Sequence, residues 1–246
     1  MMRSVQRILA ILESFTAEDN CLSLHEIAGR IALPKSTTFR LVQSLEESGY
    51  LIRLEDQRYC LSFRITRLAG MVRSTLGIRE IARPLMRTLA ERTGETVSLY
   101  AADEGMRVCI DAVATAMPLR SVSQPGERVS LARGSSSKVL VAFARDPKPL
   151  SPIRAEMAKL GKMTEAQVRA ELEQIRQQGY AVSHGERVLG VAAVSAPIRG
   201  LDDEGHYCLS VAGPMVRMQS REREFARLVV QAASEISWLY GGNAPP

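Results

Sequence analysis

SLHEIAGRIALPKSTTFRLVQSLEESGYLIRLEDQRYCL, residues 23–61, is the stretch on which the reading of the whole chain turns. Ser23 is followed three residues later by Glu26. At that spacing each side chain satisfies one orphan backbone donor at a helix start. Leu24, Ile27, Ala28 and Ile31 then form one helical stripe. Leu33-Pro34 interrupts it, because the residue before a proline is pushed out of the helical region. Pro34 itself suits the first turn of a second helix, where its missing N–H costs nothing. That second helix is expected to turn Phe39, Leu41, Val42 and Leu45 inward and to stop at Gly49 in a left-handed conformation.

Two short helices joined by a tight turn make a helix-turn-helix unit. Tyr50–Leu54 and Arg58–Leu61 are short β-rich runs around Glu55-Asp56-Gln57, so a hairpin follows directly and the unit is winged. Lys35, Ser36, Thr37, Thr38 and Arg40, early in the second helix, are residue types that reach phosphates and base edges. With Ser23 at the mouth of the first helix and Arg58 in the wing, they are the expected contacts to double-stranded DNA. The competing reading is a helical hairpin that only packs in a core, or a winged helix used for protein contact. The whole constellation, and no single residue of it, favours DNA.

Composition sets the bounds. A chain of 246 residues, 46% of them hydrophobic, has length for two domains and ample core. No run of eighteen apolar residues exists, so no membrane span is expected. The opening MMRSVQRILAILESF is amphipathic and lacks a small-residue cleavage site, so it does not read as a secretion signal. The net charge of +5 is mild, but eight cations against four acids fall between Arg30 and Arg73. Local positive charge supplies the salt-dependent part of DNA affinity. Cys21, Cys60, Cys109 and Cys208 are scattered and the histidines are only His25, His184 and His206. A disulfide framework, a metal centre and a cofactor are therefore not expected, and reduced thiols suit a cytoplasmic protein.

Before the helix-turn-helix, Val5, Ile8, Leu9, Leu12 and Phe15 have the spacing of an amphipathic supporting helix. This places a winged helix-turn-helix domain at 1–62, a linker helix at 63–77 and a second domain at 78–246. The second domain should open with a helix through Ile81, Leu85 and Leu89 that Gly94 ends. A hairpin across Asp103–Met106 should follow, with a further strand at Leu119–Val122 and a turn at Gln124–Glu127. Gly134-Ser135-Ser136-Ser137-Lys138 leads into an apolar helix, and Asp146–Pro152 reads as a loop. Thr164 with Gln167 caps a helix that runs to Gly179. Strands at Tyr180–His184, Val191–Ile198 and Tyr207–Gly213 precede a closing helix from Arg221 to Tyr240. The order is α+β: an antiparallel sheet of five or six strands with helices packed on it.

SVQRILAILESF, LSLHEIAGRIALPKSTTFRLVQSLEESGYL, YCLSFRITRLA, GYAVSHGERVLGVAAVSAPI and LSVAGP stand in an order that resembles the isocitrate lyase regulator (IclR) family of bacterial transcription factors. The resemblance covers essentially the whole chain. It implies a winged helix for operator DNA and a GAF-like effector-binding domain, assembled as a homodimer or a dimer of dimers. The implied effector is a small organic acid of a catabolic pathway, aliphatic or aromatic. The resemblance places Gly134, Ser135 and Ser136 in the effector site, with Ser137 standing where the family usually has glycine. Backbone N–H groups and hydroxyls at a helix N-terminus do favour a carboxylate, although a serine run there is often only a cap. Further implied pocket positions are Ser183, His184, Ala193, Ser210 and Ala212, and strand alternation sets Ser210 and Ala212 on one face. This chain is less polar there than some members, which implies an effector different from the simple keto acids. Glu186 matches a frequently acidic position with an expected role in ordering the loop.

The leading expectation is thus a ligand-responsive regulator, a repressor before an activator. The reading from another class is a hydrolase using Ser135–Ser137 with His184. No G-x-S-x-G elbow supports it and the pocket residues explain binding without chemistry, so no catalytic residue is expected.

Overall fold

The computed structural model describes residues 3–16, 19–68, 77–144, 151–200, 205 and 207–242. The chain divides into two compact units, Met1–Leu76 and Gly77–Pro246.

The first unit runs α1 (Arg3–Glu13), β1 (Cys21–Leu22), α2 (Leu24–Arg30), α3 (Lys35–Glu47), β2 (Leu51–Arg53) and β3 (Tyr59–Leu61). Residues 63–68 are helical and are labelled α4; the remainder of the expected linker helix, 69–76, lies outside the described residues. The capping box forms as the spacing requires: Ser23 N donates to the Glu26 carboxylate at 2.7 Å and Glu26 N to Ser23 Oγ at 3.3 Å. Pro34 is the N-cap of α3, one position before the expected first turn. Gly49 stops that helix at φ 76°, with Tyr50 N donating to Leu45 O at 2.8 Å. β2 and β3 form the wing, and β1, which carries no separate sequence signal, adds to β3 to give the antiparallel order β1-β3-β2.

The inward face of α3 differs from the sequence reading. Thr38, Val42 and Leu45 are buried, while Phe39 is 44% exposed. Val42 and Leu45 pack with Ile11, Leu22, Ile27, Leu51 and Tyr59. In α1 the buried position is Ile11, and Val5 and Leu9 face outward.

The second unit begins with α5 (Ile78–Thr93), which Gly94 ends at φ 74°. β4 (Thr96–Asp103) and β5 (Met106–Val113) follow, joined by a two-residue turn in which Glu104 and Gly105 both have positive φ; this turn matches the right-handed strand twist. Residues 119–122 are not a strand. Their carbonyls are taken by side chains instead, Ser121 O by Thr96 Oγ1 at 2.7 Å and Leu119 O by Arg217 at 2.8 Å. The sixth strand, β6 (Arg128–Ser130), comes after the Gln124–Glu127 turn and pairs with β5. Then come α6 (Ser135–Ala142), α7 (Ser151–Gly161) and α8 (Glu165–Gln178). α7 was not legible as a helix: it takes in Ser151 and Pro152 from the expected loop, whose residues 146–150 lie outside the described ones. Proline is tolerated in a first helical turn because the N–H it lacks has no partner there. β7 (Ala181–His184), β8 (Val191–Ile198) and β9 (Tyr207–Pro214) complete the sheet. The expected last helix is α10 (Glu222–Leu239), and a short helix for which no expectation was made, α9 (Met215–Ser220), precedes it.

The sheet order is β6-β5-β4-β9-β8-β7, antiparallel throughout. Register sorts its residues by size. Ser183, Ala193, Ala212 and Thr96 lie opposite one another in one row, and Ala181, Ser195, Ser210, Ser98 and Ala112 in the next. Side chains directly opposite share a face, so one face is a floor of serine, alanine and threonine. The alternate positions, among them Val97, Leu99, Val194, Leu209 and Val211, form the other face and pack against Met86 of α5 and Phe225 and Val229 of α10. On the small-residue side α6 comes down against β7, β8 and β9, and a second core of Leu140, Met157, Leu172 and Ile175 lies under α6, α7 and α8.

Candidate nucleic-acid interface and ligand pocket

On the first unit Lys35, Ser36, Phe39 and Arg40 present exposed side chains from α3, and Thr37 is half-buried. Thr38, expected among the DNA contacts, is fully buried and its Oγ1 donates to Pro34 O at 3.2 Å. Packing against α2 and α1 selects the stripe that contains Thr38, and back-bonding to its own helix hides the hydroxyl. It leaves the interface. Ser23 spends its hydroxyl on the Glu26 carboxylate at 2.7 Å. In the wing, Arg58 is exposed and pairs with Asp56 at 2.7 Å, a surface pair that a phosphate can replace. Two of the local cations serve the fold: Arg30 pairs with Asp19 and donates to Ser14 O at 2.7 Å, and Arg64 lies over the Tyr50 ring.

In the second unit a cavity of ≈ 50 Å³ lies between the small-residue floor and the start of α6. Gly134, Ser135, Ser136, Ser183, Ala193, Ser210 and Ala212 all line it. Gly134, the α6 N-cap at φ 89°, has backbone freedom that other residues lack. The hydroxyls are linked from helix to floor: Ser135 Oγ to Ser195 Oγ at 2.8 Å, and Ser195 Oγ to Ser210 Oγ at 2.9 Å. His184 is not in the cavity. It is the residue after Ser183 on β7, so alternation turns it to the opposite face, where its Nε2 meets Glu222 at 2.7 Å.

The residue that dominates the cavity was missed in the sequence. Arg107 of β5 is 4% exposed, sits 4.4 Å over the Tyr100 ring and donates to Ser136 Oγ. Among the described residues no carboxylate forms an ion pair with it, and its Nε has no partner. Burial lowers its pKa from the usual arginine value; Tyr100 works against that and Arg187 adds to it. A buried cation without a counter-ion is costly, and its charge is offered to the cavity. Ser98 Oγ, on the floor beside Ser210, and Ser137 Oγ are buried without partners too.

A loop from Gly185 to Gly190 borders the cavity through Glu186, Arg187 and Val188. Glu186 accepts from Gly134 N at 3.1 Å and from Lys138 Nζ at 2.6 Å, and Lys138 also pairs with Glu171 at 2.7 Å. One donor at the α6 N-terminus therefore already holds a carboxylate of the protein. Arg187 also lines the cavity but pairs with Glu127 at 3.1 Å, so among the described lining residues the cation left for an outside anion is Arg107, with the serine hydroxyls around it. The signal that could have found it is an arginine at an inward position of an alternating strand. A register shift obscured it. Leu99 pairs with Asp111 and Tyr100 with Cys109, so Ile110 is the extra residue of a bulge. Asp111 thereby falls on the α5 side, where Arg79 and Arg83 bind it, and Arg107 on the α6 side.

A winged helix-turn-helix joined to a sheet domain with a cation-lined pocket defines a DNA-binding transcriptional regulator, not an enzyme. Residues 4–55 match the IclR helix-turn-helix domain and residues 70–238 the bacterial transcriptional regulator IclR C-terminal domain. The chain belongs to the IclR family. It is 34% identical to the probable transcriptional regulator SauR of Cupriavidus necator over 86% of each chain. To the transcriptional repressor IclR of Escherichia coli it is 24% identical over 98% of this chain and 91% of that one. An IclR transcriptional regulator from Silicibacter sp. TM1040 has the same fold, with a TM-score of 0.87 at 24% identity over 100% of this chain and 98% of that one. An IclR homolog from Microbacterium hydrocarbonoxydans, solved in complex with 4-hydroxybenzoate, gives a TM-score of 0.56 at 22% identity, covering 96% and 98%. Among the described residues no helix is long and apolar enough to cross a membrane.

Proposed function

We propose that this regulator is a repressor whose operator affinity is set by a small organic carboxylate bound in the second unit. The buried guanidinium of Arg107, facing a serine-lined cavity with no acidic partner, is the observation that carries this reading. Arg107 takes the carboxylate, Ser136 and Ser135 accept or donate hydrogen bonds beside it, and Ala193 and Ala212 give it a wall. A volume of ≈ 50 Å³ suits an aliphatic acid of a few heavy atoms. An aromatic acid of the kind the Microbacterium homolog holds needs the Gly185–Gly190 loop to give way.

Lys35, Ser36, Thr37 and Arg40 of α3 contact the operator, with Ser23 and the wing Arg58 at its flanks. A cytoplasmic homodimer, or a dimer of dimers, reads half-sites set by its symmetry. Residues 1–62 bind DNA, 63–77 link and 78–246 sense. The acid acts through unequal affinity for the DNA-competent and DNA-incompetent arrangements, since equal affinity shifts nothing. A 100-fold change in operator affinity needs a coupling of about 2.7 kcal/mol.

Footprinting on the DNA upstream of its own gene, with and without a panel of small aliphatic and aromatic acids, tests this. A short protected palindrome that one acid alters is the expected result. Protection indifferent to every acid would overturn the sensing role and leave the DNA role standing.

A further inference from the structure

Cys21 and Cys60 are directly opposed in the antiparallel β1–β3 ladder. Both are free thiols and both are half-buried, whereas Cys109 and Cys208 are buried in the second unit. Opposed residues on such a ladder hold their Cβ atoms roughly 4.5–5.5 Å apart. A disulfide spans about 3.5–4.5 Å between Cβ atoms, so closing one asks for a shift on the order of an ångström. The thiols are near enough to act on each other: Cys60 is pushed up first by burial, then by the charge and hydrogen bond of Cys21. On the other side Cys21 lies within electrostatic reach of the Arg58 guanidinium. Two half-buried thiols directly opposed on a ladder, one placed to resolve the oxidation of the other, are a setting in which a disulfide forms. DNA contact and acid binding use neither cysteine.

We propose that Cys21 and Cys60 form a modification site, oxidised by hydrogen peroxide to a disulfide that clamps the wing to the base of the helix-turn-helix. The Cys21 thiolate attacks one peroxide oxygen, the O–O bond breaks, and the departing hydroxide leaves as water with the thiol's proton. Cys21 is then a sulfenic acid. The Cys60 sulfur attacks the Cys21 sulfur, the S–O bond breaks, and a second water carries away the Cys60 proton. Two thiols lose two electrons and peroxide is reduced to two waters. The closed loop contains all of α2 and α3, so the bond removes freedom from the unfolded helix-turn-helix. In a reducing compartment such a bond is transient and reports an oxidant.

The test uses the full chain, reduced and then exposed to hydrogen peroxide. Remaining thiols are blocked with N-ethylmaleimide and the digest is read by mass spectrometry. The expected product is a Cys21–Cys60 linked peptide two hydrogens lighter than the thiol pair. Its formation should raise the melting midpoint of the helix-turn-helix by at least about 5 °C, and dithiothreitol should reverse both. Cys21→Ser and Cys60→Ser should each remove the linked peptide and the shift, while melting like the unsubstituted reduced protein. Maleimide on both cysteines after peroxide, linkage between chains, or oxidation of one cysteine to sulfinic acid without linkage would each overturn the proposal.

Discussion

Arg107→Met keeps an unbranched apolar stem and removes the guanidinium, so it separates a ligand contact from a structural brace. The substitution forfeits the stack on Tyr100 and the bond to Ser136, together about 2 kcal/mol. It also abolishes the cost of holding a cation at 4% exposure with an orphan Nε, a penalty of roughly several kcal/mol in a protein interior. These oppose each other, so the melting midpoint should stay within a few degrees of the parent or rise. Binding has no such offset. A charge-assisted guanidinium–carboxylate contact contributes about 2–3 kcal/mol, so the Kd for the acid should rise about 30- to 150-fold. Calorimetric titration with the acid found by footprinting reads the second quantity and a circular-dichroism melt the first. Operator affinity without acid should not move. A midpoint about 10 °C lower with unchanged acid affinity would show that Arg107 braces the sheet and that the pocket is misread.

On the DNA side, Lys35→Ala and Arg40→Ala should each lower the slope of log affinity against log salt by about 0.9, measured by fluorescence anisotropy. Thr38→Val should leave operator affinity within about twofold, because its hydroxyl is spent inside α3. His184→Ala should leave acid affinity unchanged in the same titration, since that ring faces Glu222. Asp111 is 2% exposed; burial alone would raise its carboxyl, but Arg83 first, then the Ala112 N–H and Arg79, hold it below its ordinary value of 3.8. The stability it gives is therefore complete above about pH 4 and lost as pH falls through its folded pKa. Asp111→Asn should cost about 1–2 kcal/mol at pH 7, discounted because both arginines are open to solvent. The gap between variant and parent should close in urea titrations below the folded pKa.

Much of this molecule was legible because its punctuation is strong. Ser23–Glu26, Thr164–Gln167, Gly49, Gly94 and Gly179 act locally, and each helix end fell where those residues put it. The floor positions Ser183, Ala193, Ser210 and Ala212 came from the family resemblance, and the period-two pattern of the strands agrees with it. What failed was decided by packing. Thr38 and Phe39 are adjacent on α3, polarity favoured Phe39 for the core, and contact with α1 and α2 chose the stripe through Thr38 instead. His184 was one residue too far along a strand. Arg107 depended on the bulge at Ile110, which separates it from Asp111; sequence alternation alone would set both on one face. β1 is two residues long and exists only because β3 offers an edge.

The floor of serines and alanines separates two demands on the same strands. Val97, Leu99, Val194, Leu209 and Val211 pack the large aliphatic core on one side, and small side chains at Ser183, Ala193, Ser210 and Ala212 line the cavity on the other. Under the proposed sensing role, enlarging Ala193 or Ala212 by an atom or two would reshape the acid's wall without touching that aliphatic layer. Ligand preference can therefore drift by single substitutions on a frame that stays folded. On that proposed role, one sheet would serve a succession of small acids while the attached helix-turn-helix is left alone.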